Sequence, residues 1–340
     1  MQDLDRALQK LLDHDVVAFP TETVYGLGAR IDSDIAIKKI FSIKERPFFD
    51  PLIVHTYSVD QAKLCFSSWN LIADILSKHF WPGPLTLVMK KSNQISDLIT
   101  SGLSNVGVRI PKHSLALQLL EKLNIPIAAP SANKFGKTSP TKASHVRKEF
   151  GDSVFILKNE NELSCEKETS CEIGIESTVL LIRENFEISI LRPGVILKSQ
   201  IVDVLEKNKV LFKWVNSTSK NESPGHMKHH YMPDIPFVIC RNPAMKLSEL
   251  AEILNSKLKE LPDCIEGVQI IKPVQKIEKI EFLKLSTDPT LAAREMYSQL
   301  RSASERRPQA LCYIQLPTQN SETWESVFDR LYKAASLIID

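Results

Sequence analysis

The chain has 340 residues, more than the ~250 residues at which single cores tend to split, so we expect two domains. Its apolar fraction of 43% and charged fraction of 25% are ordinary for a globular protein, and its net charge of +2 neither demands nor excludes nucleic acid. The six cysteines form no C-x-x-C pair, which argues against a zinc ribbon, a thioredoxin-like site or disulfide dependence. The N-terminus lacks a secretory pattern and no apolar stretch approaches ~18 residues, so we expect a cytoplasmic protein without membrane contact.

Helical and strand patterns alternate through the first 209 residues. Helical spacing of apolar residues predicts helices at 3–13, 32–44, 70–80, 114–123, 141–150 and 198–208. Short apolar runs predict strands at 15–20, 51–55, 85–90, 106–110, 125–130, 154–157, 177–182 and 186–192. Because several consecutive strands have no helix between them, the pattern predicts a mixed sheet.

A polar segment separates this region from a second one. NSTSKNESPG is rich in turn formers, so we predict a linker at 210–236 between domains at 1–209 and 237–340. In the last part, strands are predicted at 236–240, 267–273 and 310–317, and helices at 247–261, 289–305 and 326–338. This alternation predicts a smaller α/β domain.

FPTETVYGLGAR places Thr21, Glu22 and Thr23 just after a predicted strand. Open α/β sheets bind ligands near the carboxyl ends of their strands, so these polar side chains are candidates for a site. Gly26 and Gly28 would let the backbone turn or approach a ligand closely. A plain strand and turn with two turn glycines is the alternative.

KERPFFDPLIVH carries Lys44 and Arg46 beside a proline, and His55 closes the strand that follows. In an extended segment the side chains of residues i and i+2 point the same way, so the two cations could clamp a polyphosphate. A solvated basic turn is the alternative reading.

Two further segments combine strands with polar ends. PIAAPSANKFGKTSPT runs from a strand into Ser131 and Asn133 and reaches a helix start near Thr141, a suitable cradle for an anion. GIESTVLLI and ILRPGVI place Ser177 at the start of one strand and Arg192 at the end of another. Ordinary loop, cap and hairpin chemistry would also account for them.

Together, and in this order, these segments resemble the YrdC-like threonylcarbamoyl-AMP synthases in their long two-domain form. The matching pieces are FPTETVYGLG, K-x-R with PLIVH, FWPGPLT, VGVRIP, P-S-A-N with SPT, IEST, LRPG and the linker SPGHMKHHYMP. The resemblance implies an N-terminal YrdC-like twisted mixed sheet with helices and a smaller C-terminal Rossmann-like α/β domain.

The family's activity would make the chain a nucleotidyltransferase. Its members form threonylcarbamoyl-AMP and pyrophosphate from L-threonine, bicarbonate and ATP. The product would pass to the tRNA threonylcarbamoyl transferase machinery for t6A modification. Mg²⁺ would arrive on the ATP phosphates without a protein metal site.

The resemblance also implies residue roles. Lys44 and Arg46 would hold the phosphates as the catalytic pair. The implied ATP-binding residues are Lys44, Arg46, Asp50, Asn133, Thr141, Arg192 and Tyr231. The implied threonine-binding residues are Thr23, His55, Arg109, Ser131 and Ser177. Asp50 stands where the family often has Asn, and because an anion beside ATP would repel phosphate, its own role stays open.

The linker segment SPGHMKHHYMP allows three interpretations. His226, His229 and His230 could bind a metal, although two of them are adjacent and no Cys or carboxylate flanks them. The segment could instead be a solvated linker. The resemblance implies a lid over the nucleotide, with Tyr231 contacting ATP.

Two rival functions remain open from the sequence. Lys134, Lys137, Lys142, Arg147 and Lys148 form a basic stretch that could bind RNA without catalysis, or allow a weak tRNA contact in the enzyme. The other rival is an enzyme that uses carbamoyl phosphate, although the zinc-finger and acylphosphatase-like regions of such proteins are missing from this sequence.

Overall fold

The protein is described by a computed structural model covering residues 2–48, 50–158, 171–216, 230–265, 268–269, 271–273 and 276–340. The chain divides into two compact units. The first unit comprises Met1–Lys134 and Pro140–His226, and the second comprises Phe135–Ser139 and Met227–Asp340. Residues 217–229 of the predicted linker lie outside the described residues, so the division at 1–209, 210–236 and 237–340 stays a prediction.

Several helices of the first unit begin at side chains that satisfy free backbone amides. Ser33 accepts the Ala36 N–H at one start, and Asn70 accepts the Ala73 N–H at another. The helices are α1 (Gln2–Leu12), α2 (Asp34–Lys44), α3 (Val59–Leu64), α4 (Leu71–Phe80), α5 (Asp97–Thr100), α6 (Ser114–Leu123), α7 (Ala143–Phe150) and α8 (Lys198–Lys207). The short helices α3 and α5 were not predicted, because one or two turns carry little periodic signal.

Ten strands of the described residues form one sheet in this unit. They are β1 (Val17–Phe19), β2 (Gly26–Arg30), β3 (Ile53–His55), β4 (Leu85–Lys90), β5 (Asn105–Arg109), β6 (Ile127–Ala129), β7 (Phe155–Ile156), β8 (Thr178–Ile182), β9 (Glu187–Arg192) and β10 (Lys213–Trp214). Their order is β10-β9-β8-β4-β5-β3-β6-β2-β1-β7. Neighbours pair in both directions, which confirms the predicted mixed sheet. The sheet includes β10, which falls within the predicted linker.

The alternative that Gly26 and Gly28 form a turn after β1 is wrong. Gly26 and Gly28 lie in β2, which pairs antiparallel with β1, and not in a turn. A Cβ at Gly28 would lie 2.6 Å from Ile127 Cγ2 and 2.7 Å from Phe19 Cε1. The missing side chain therefore makes room for neighbouring core residues.

Alternation along the central strands divides the sheet into two faces. Along a strand, every second side chain points into the large core, as Val54 of β3 and Val108 of β5 do. His55 and Arg109 follow these residues directly, so they point to the opposite face. A second core under α1 and α6 lies on that opposite face, where it includes Phe19 and Ile127.

The second unit has its own parallel sheet, in the order β14-β15-β11-β16. Its strands are β11 (Phe237–Cys240), β12 (Cys264–Ile265), β13 (Val268–Gln269), β14 (Ile280–Phe282), β15 (Ala310–Ile314) and β16 (Leu337–Ile339). Its helices are α9 (Leu247–Glu260), α10 (Pro289–Arg306) and α11 (Glu322–Ala334). The smaller Rossmann-like α/β domain is thereby confirmed.

Two predicted elements of this unit are wrong. Among the described residues of the strand predicted at 267–273, only β13 is a strand, and it pairs with β12 outside the parallel sheet. The unpredicted β14 occupies the sheet edge. The helix predicted to continue to 338 ends at Ala334 because the apolar run after it pairs with β11 as β16. Within the described part of the chain, no helix is long and apolar enough to cross a membrane.

Candidate active site

Lys44 is the last residue of α2, and its ionisable side chain is buried. Its Nζ donates to the backbone oxygen of Ser131 at 2.6 Å and also to that of Asn133. Burial, followed by the nearby charge of Arg46, holds the pKa of Lys44 well below its ordinary value. The structure thus brings the K-x-R segment against the S-x-N loop.

Arg46 is held by the short loop that follows it. Its Nε and Nη2 donate to the Asp50 carbonyl at 3.2 Å, and Nη2 donates to the Pro51 carbonyl at 3.0 Å. Nη2 also lies 2.8 Å from Asp50 Oδ2, and both side chains are buried. Arg46 therefore compensates the charge of Asp50, which explains how an anion can lie in the segment predicted to bind phosphate.

Arg109 is the centre of a second buried cluster. Its Nη1 donates to Thr23 Oγ1 at 3.0 Å, and its Nη2 lies 3.2 Å from His55 Nε2. Nη1 also lies 3.5 Å from Glu22 Oε1, while Glu22 Oε2 accepts the Lys112 N–H at 3.0 Å. Three residues predicted to hold threonine (Thr23, His55 and Arg109) are thus in direct contact.

Sheet register explains why His55 and Arg109 meet. The two residues are partners in the parallel pairing of β3 with β5, and both point to the same face. Burial, and then the charge of Arg109, lower the pKa of His55 to about 3. The imidazole is therefore neutral at physiological pH and leaves the cationic role to Arg109.

Ser177 and Arg192 form a third contact at neighbouring strands. Arg192 Nη2 donates to Ser177 Oγ at 3.2 Å, and its Nε donates to the Ser177 carbonyl at 3.2 Å. Ser177 Oγ also lies 2.8 Å from Thr86 Oγ1. Arg192 is buried, whereas a plain hairpin would leave this arginine at the surface.

Backbone pairing holds the S-x-N loop next to the segment after β1. Ala132 N–H donates to the Tyr25 carbonyl at 2.8 Å, and Tyr25 N–H donates to the Pro140 carbonyl at 2.9 Å. Thr141 is fully buried, and its N–H donates to His145 Nδ1 at 3.2 Å. Both ends of the loop are therefore anchored on one residue, Tyr25.

The linker residues cannot all be placed. His226 and His229 lie outside the described residues, so the proposed metal cluster is not visible. His230 and Tyr231 belong to the second unit, where His230 N–H donates to the Lys333 carbonyl at 2.9 Å. The Tyr231 ring centroid lies 5.5 Å from that of Tyr297. Contact of Tyr231 with ATP stays a prediction.

Glu22 is a buried charged residue for which the sequence predicts no specific role. It is 2% exposed and lies between two threonines at the end of β1. The sequence does contain a signal for a functional role of Glu22, because a carboxylate that follows a buried strand is unusual at a position that serves only packing. In the described ranges, no group of three or more His, Cys, Asp or Glu is arranged to hold a metal ion.

The basic stretch considered for RNA binding is partly neutralised. Lys134 Nζ lies 2.7 Å from Glu45 Oε1, and Lys137 Nζ lies 2.6 Å from Asp234 Oδ1. Arg147 forms an ion pair with Asp152. At least three cations of the stretch therefore have acidic partners.

This fold and these clusters define an α/β protein with buried groups of cationic and polar side chains at its larger sheet. A family model described as "Telomere recombination", for Sua5, YciO and YrdC proteins, matches residues 9–194. A second model, described as "Threonylcarbamoyl-AMP synthase, C-terminal domain", matches residues 196–336. The chain belongs to the Sua5/YciO/YrdC family.

Individual relatives resemble the chain over most of its length. It is 39% identical to the threonylcarbamoyl-AMP synthase of Pyrococcus abyssi over 72% of this chain and 70% of that protein. It is also 39% identical to the enzyme of the same name from Bacillus subtilis, over 73% of this chain and 69% of that protein. The crystal structure of P. abyssi Sua5 complexed with L-threonine matches with a TM-score of 0.79 and 31% identity, covering 99% of this chain and 96% of that one.

Proposed function

We propose that this protein is an L-threonylcarbamoyladenylate synthase. It forms threonylcarbamoyl-AMP and pyrophosphate from L-threonine, bicarbonate and ATP, for t6A modification of tRNA. The observation that carries the proposal is the contact of buried Lys44 with the Ser131 and Asn133 backbone. The names and extent of the similar relatives support it.

The charges of the site suit nucleotidyl transfer. The carbamate formed from threonine and bicarbonate attacks the α-phosphorus of ATP, and pyrophosphate leaves. Such a transfer depends on positioning and on neutralising phosphate charge. Lys44 and Arg46 supply that charge from buried positions, and Asn133, Thr141 and Arg192 complete the nucleotide side.

The threonine side is formed by the Arg109 cluster. A guanidinium binds a carboxylate with two parallel hydrogen bonds, so Arg109 is the partner for the threonine carboxylate. Thr23 and His55 contact Arg109 directly with neutral polar groups, and Ser177 is held by Arg192. We assign these three residues to the rest of the amino acid. Ser131 contributes from the loop that Lys44 holds.

Magnesium enters as the complex with ATP. Mg²⁺ keeps several waters and is commonly bound through substrate phosphates, where it neutralises charge. Asp50 is the carboxylate nearest to Arg46, but its ion pair with that residue already uses its charge. We therefore assign the metal to the phosphates.

The product is a reactive mixed anhydride, so a tRNA threonylcarbamoyl transferase must consume it nearby. We place the reaction in the cytoplasm, where tRNA is modified. The cysteines of the described chain are all free thiols, as expected in a reducing compartment. A weak contact with tRNA through the basic stretch of Lys134–Lys148 belongs to the same proposal.

The substrate requirement tests the activity. Pyrophosphate release by the full chain is measured with L-threonine, bicarbonate and ATP together and with each omitted in turn. We expect release above background only when all three are present. Release that is supported by carbamoyl phosphate but not by bicarbonate would favour the carbamoyl-phosphate enzyme instead. Salt-dependent tRNA binding without turnover would favour the RNA-binding protein.

Lys44→Ala tests whether this site performs the reaction. Removing one preorganised charge from a transition state typically lowers kcat by ~10²-fold or more, so we expect a loss of that size. Lys39→Ala is the matched control, because Lys39 lies on the same helix but pairs with Asp15 at the surface. Equal rates for the two variants would remove Lys44 from the active site.

A further inference from the structure

Glu22 and Arg109 form a buried pair with two unused hydrogen-bonding atoms. Glu22 Oε1 and Arg109 Nε have no hydrogen-bond partner among the described residues, and both side chains are nearly inaccessible. The guanidinium approaches Oε1 only to 3.5 Å, through Nη1. A buried charged atom without a hydrogen bond is costly, so this arrangement indicates a ligand.

We propose that Glu22 binds the α-ammonium group of the amino-acid substrate while Arg109 binds its carboxylate. This inference rests on the proposed function and adds a residue that determines which substrates the site accepts. The free donor is on the cation and the free acceptor is on the anion. An amino acid in its zwitterionic form presents the two complementary groups side by side.

The other contacts of Glu22 leave this role available. Glu22 Oε2 accepts the Lys112 N–H at 3.0 Å, which fixes the carboxylate and leaves Oε1 toward Arg109. Thr21 is not a competing partner, because its hydroxyl donates to the Val24 carbonyl at 2.6 Å. The neutral imidazole of His55 carries no charge that could replace Glu22.

Glu22 could instead act only by orienting Arg109, and substrate analogues separate the two roles. A positioning residue would affect every ligand whose carboxylate binds Arg109. A residue that binds the ammonium group would affect only ligands that carry this group. The informative analogue is 2,3-dihydroxybutanoate, which has a hydroxyl in place of the threonine ammonium.

The experiment measures binding of L-threonine and of 2,3-dihydroxybutanoate to the full chain by calorimetry. For Glu22→Gln we expect threonine to bind ~10- to 100-fold more weakly, the range for one charge-assisted hydrogen bond. We expect the analogue to change less than ~3-fold, which is within the reach of indirect effects. Asp15→Asn is the control, because Asp15 is a surface carboxylate before the start of β1.

Each outcome decides the inference. Equal weakening of both ligands would reduce Glu22 to a positioning residue, and unchanged binding of both would remove it from the site. If Glu22→Gln does not fold, Glu22→Asp retracts the carboxylate while keeping its charge, and the same comparison applies. If the wild-type chain binds no threonine and releases no pyrophosphate, the proposed function has failed instead.

Discussion

Burial distinguishes the charged residues of the site from ordinary surface lysines and arginines. Lys44, Arg46, Arg109 and Arg192 are each less than a tenth exposed. A buried charge costs several kcal/mol unless it is paired and hydrogen-bonded. All four side chains are hydrogen-bonded, and two of them also lie beside a carboxylate, Arg46 beside Asp50 and Arg109 beside Glu22. Because burial of a charged side chain is unfavourable, these residues are candidates for function rather than for packing.

His55 makes stability depend on pH. Its folded pKa of about 3 lies below the ordinary value, so the unfolded chain takes up a proton near pH 6.5 while the folded chain does not. The stability that the neutral His55 contributes is therefore fully present above pH 6.5 and is lost as the pH falls toward 3. His55 alone should therefore lower the free energy of unfolding by about 2–3 kcal/mol between pH 6.5 and pH 4.5, at ~1.4 kcal/mol for each pH unit.

Urea denaturation between pH 7 and pH 4.5 measures this dependence. We expect the stability of His55→Gln to fall less steeply than that of wild type, because the variant has no imidazole to protonate. His79→Gln, at an exposed position of α4, should follow the wild-type curve. Parallel curves for wild type and His55→Gln would contradict the prediction.

At the level of elements, β2 shows how close packing decides a strand. GLGAR lacks the β-branched residues typical of strands, and its two glycines resemble a turn. It is nevertheless a strand, because β1 and β6 both pair with it and Phe19 fills the space above the glycines. The local pattern could not predict the partners that make the strand stable.

Gly28→Ala tests this packing. The added methyl group overlaps Phe19 and Ile127, so we expect the free energy of unfolding to fall by ~1–3 kcal/mol, as for an overpacked core. The measurement is a urea denaturation series with Phe19→Leu and the double variant. Because the smaller Leu side chain relieves the overlap, we expect the double variant to lose less stability than the two single variants lose in sum. Strictly additive losses would show that the contact is not the cause.

At the level of the whole molecule, the chain enters the second unit twice. Phe135–Ser139 belongs to that unit although the residues on both sides belong to the first. Met232 N–H donates to the Gly136 carbonyl at 2.8 Å, and Thr138 Oγ1 donates to the Tyr231 carbonyl at 3.1 Å. A segment more than 90 residues away in the sequence is thus built into the smaller unit.

Gly136→Ala tests the attachment of this segment. Gly136 has φ +73, and a Cβ there would lie 2.8 Å from Val268 Cγ1. Gly102→Ala is the matched control, with φ +78 and open space around the added atom. Both variants are destabilised because alanine is strained in the left-handed backbone conformation. We expect the free energy of unfolding of Gly136→Ala to fall by a further ~1–3 kcal/mol because of the overlap. Thermal unfolding of the two variants measures the difference, and equal losses would contradict it.

The sequence by itself determined the class of fold, most of the longer helices and strands, and the segments that form the site. Periodicity and turn residues are local properties, so they can be read from neighbouring positions, as for α2 with its Ser33 cap. Tertiary structure decided the pairing of Glu22 with Arg109, the burial of Lys44 and the strand character of β2 and β16. These features depend on partners distant in the chain, and a contact across the sheet leaves no periodic trace in either of the segments that make it.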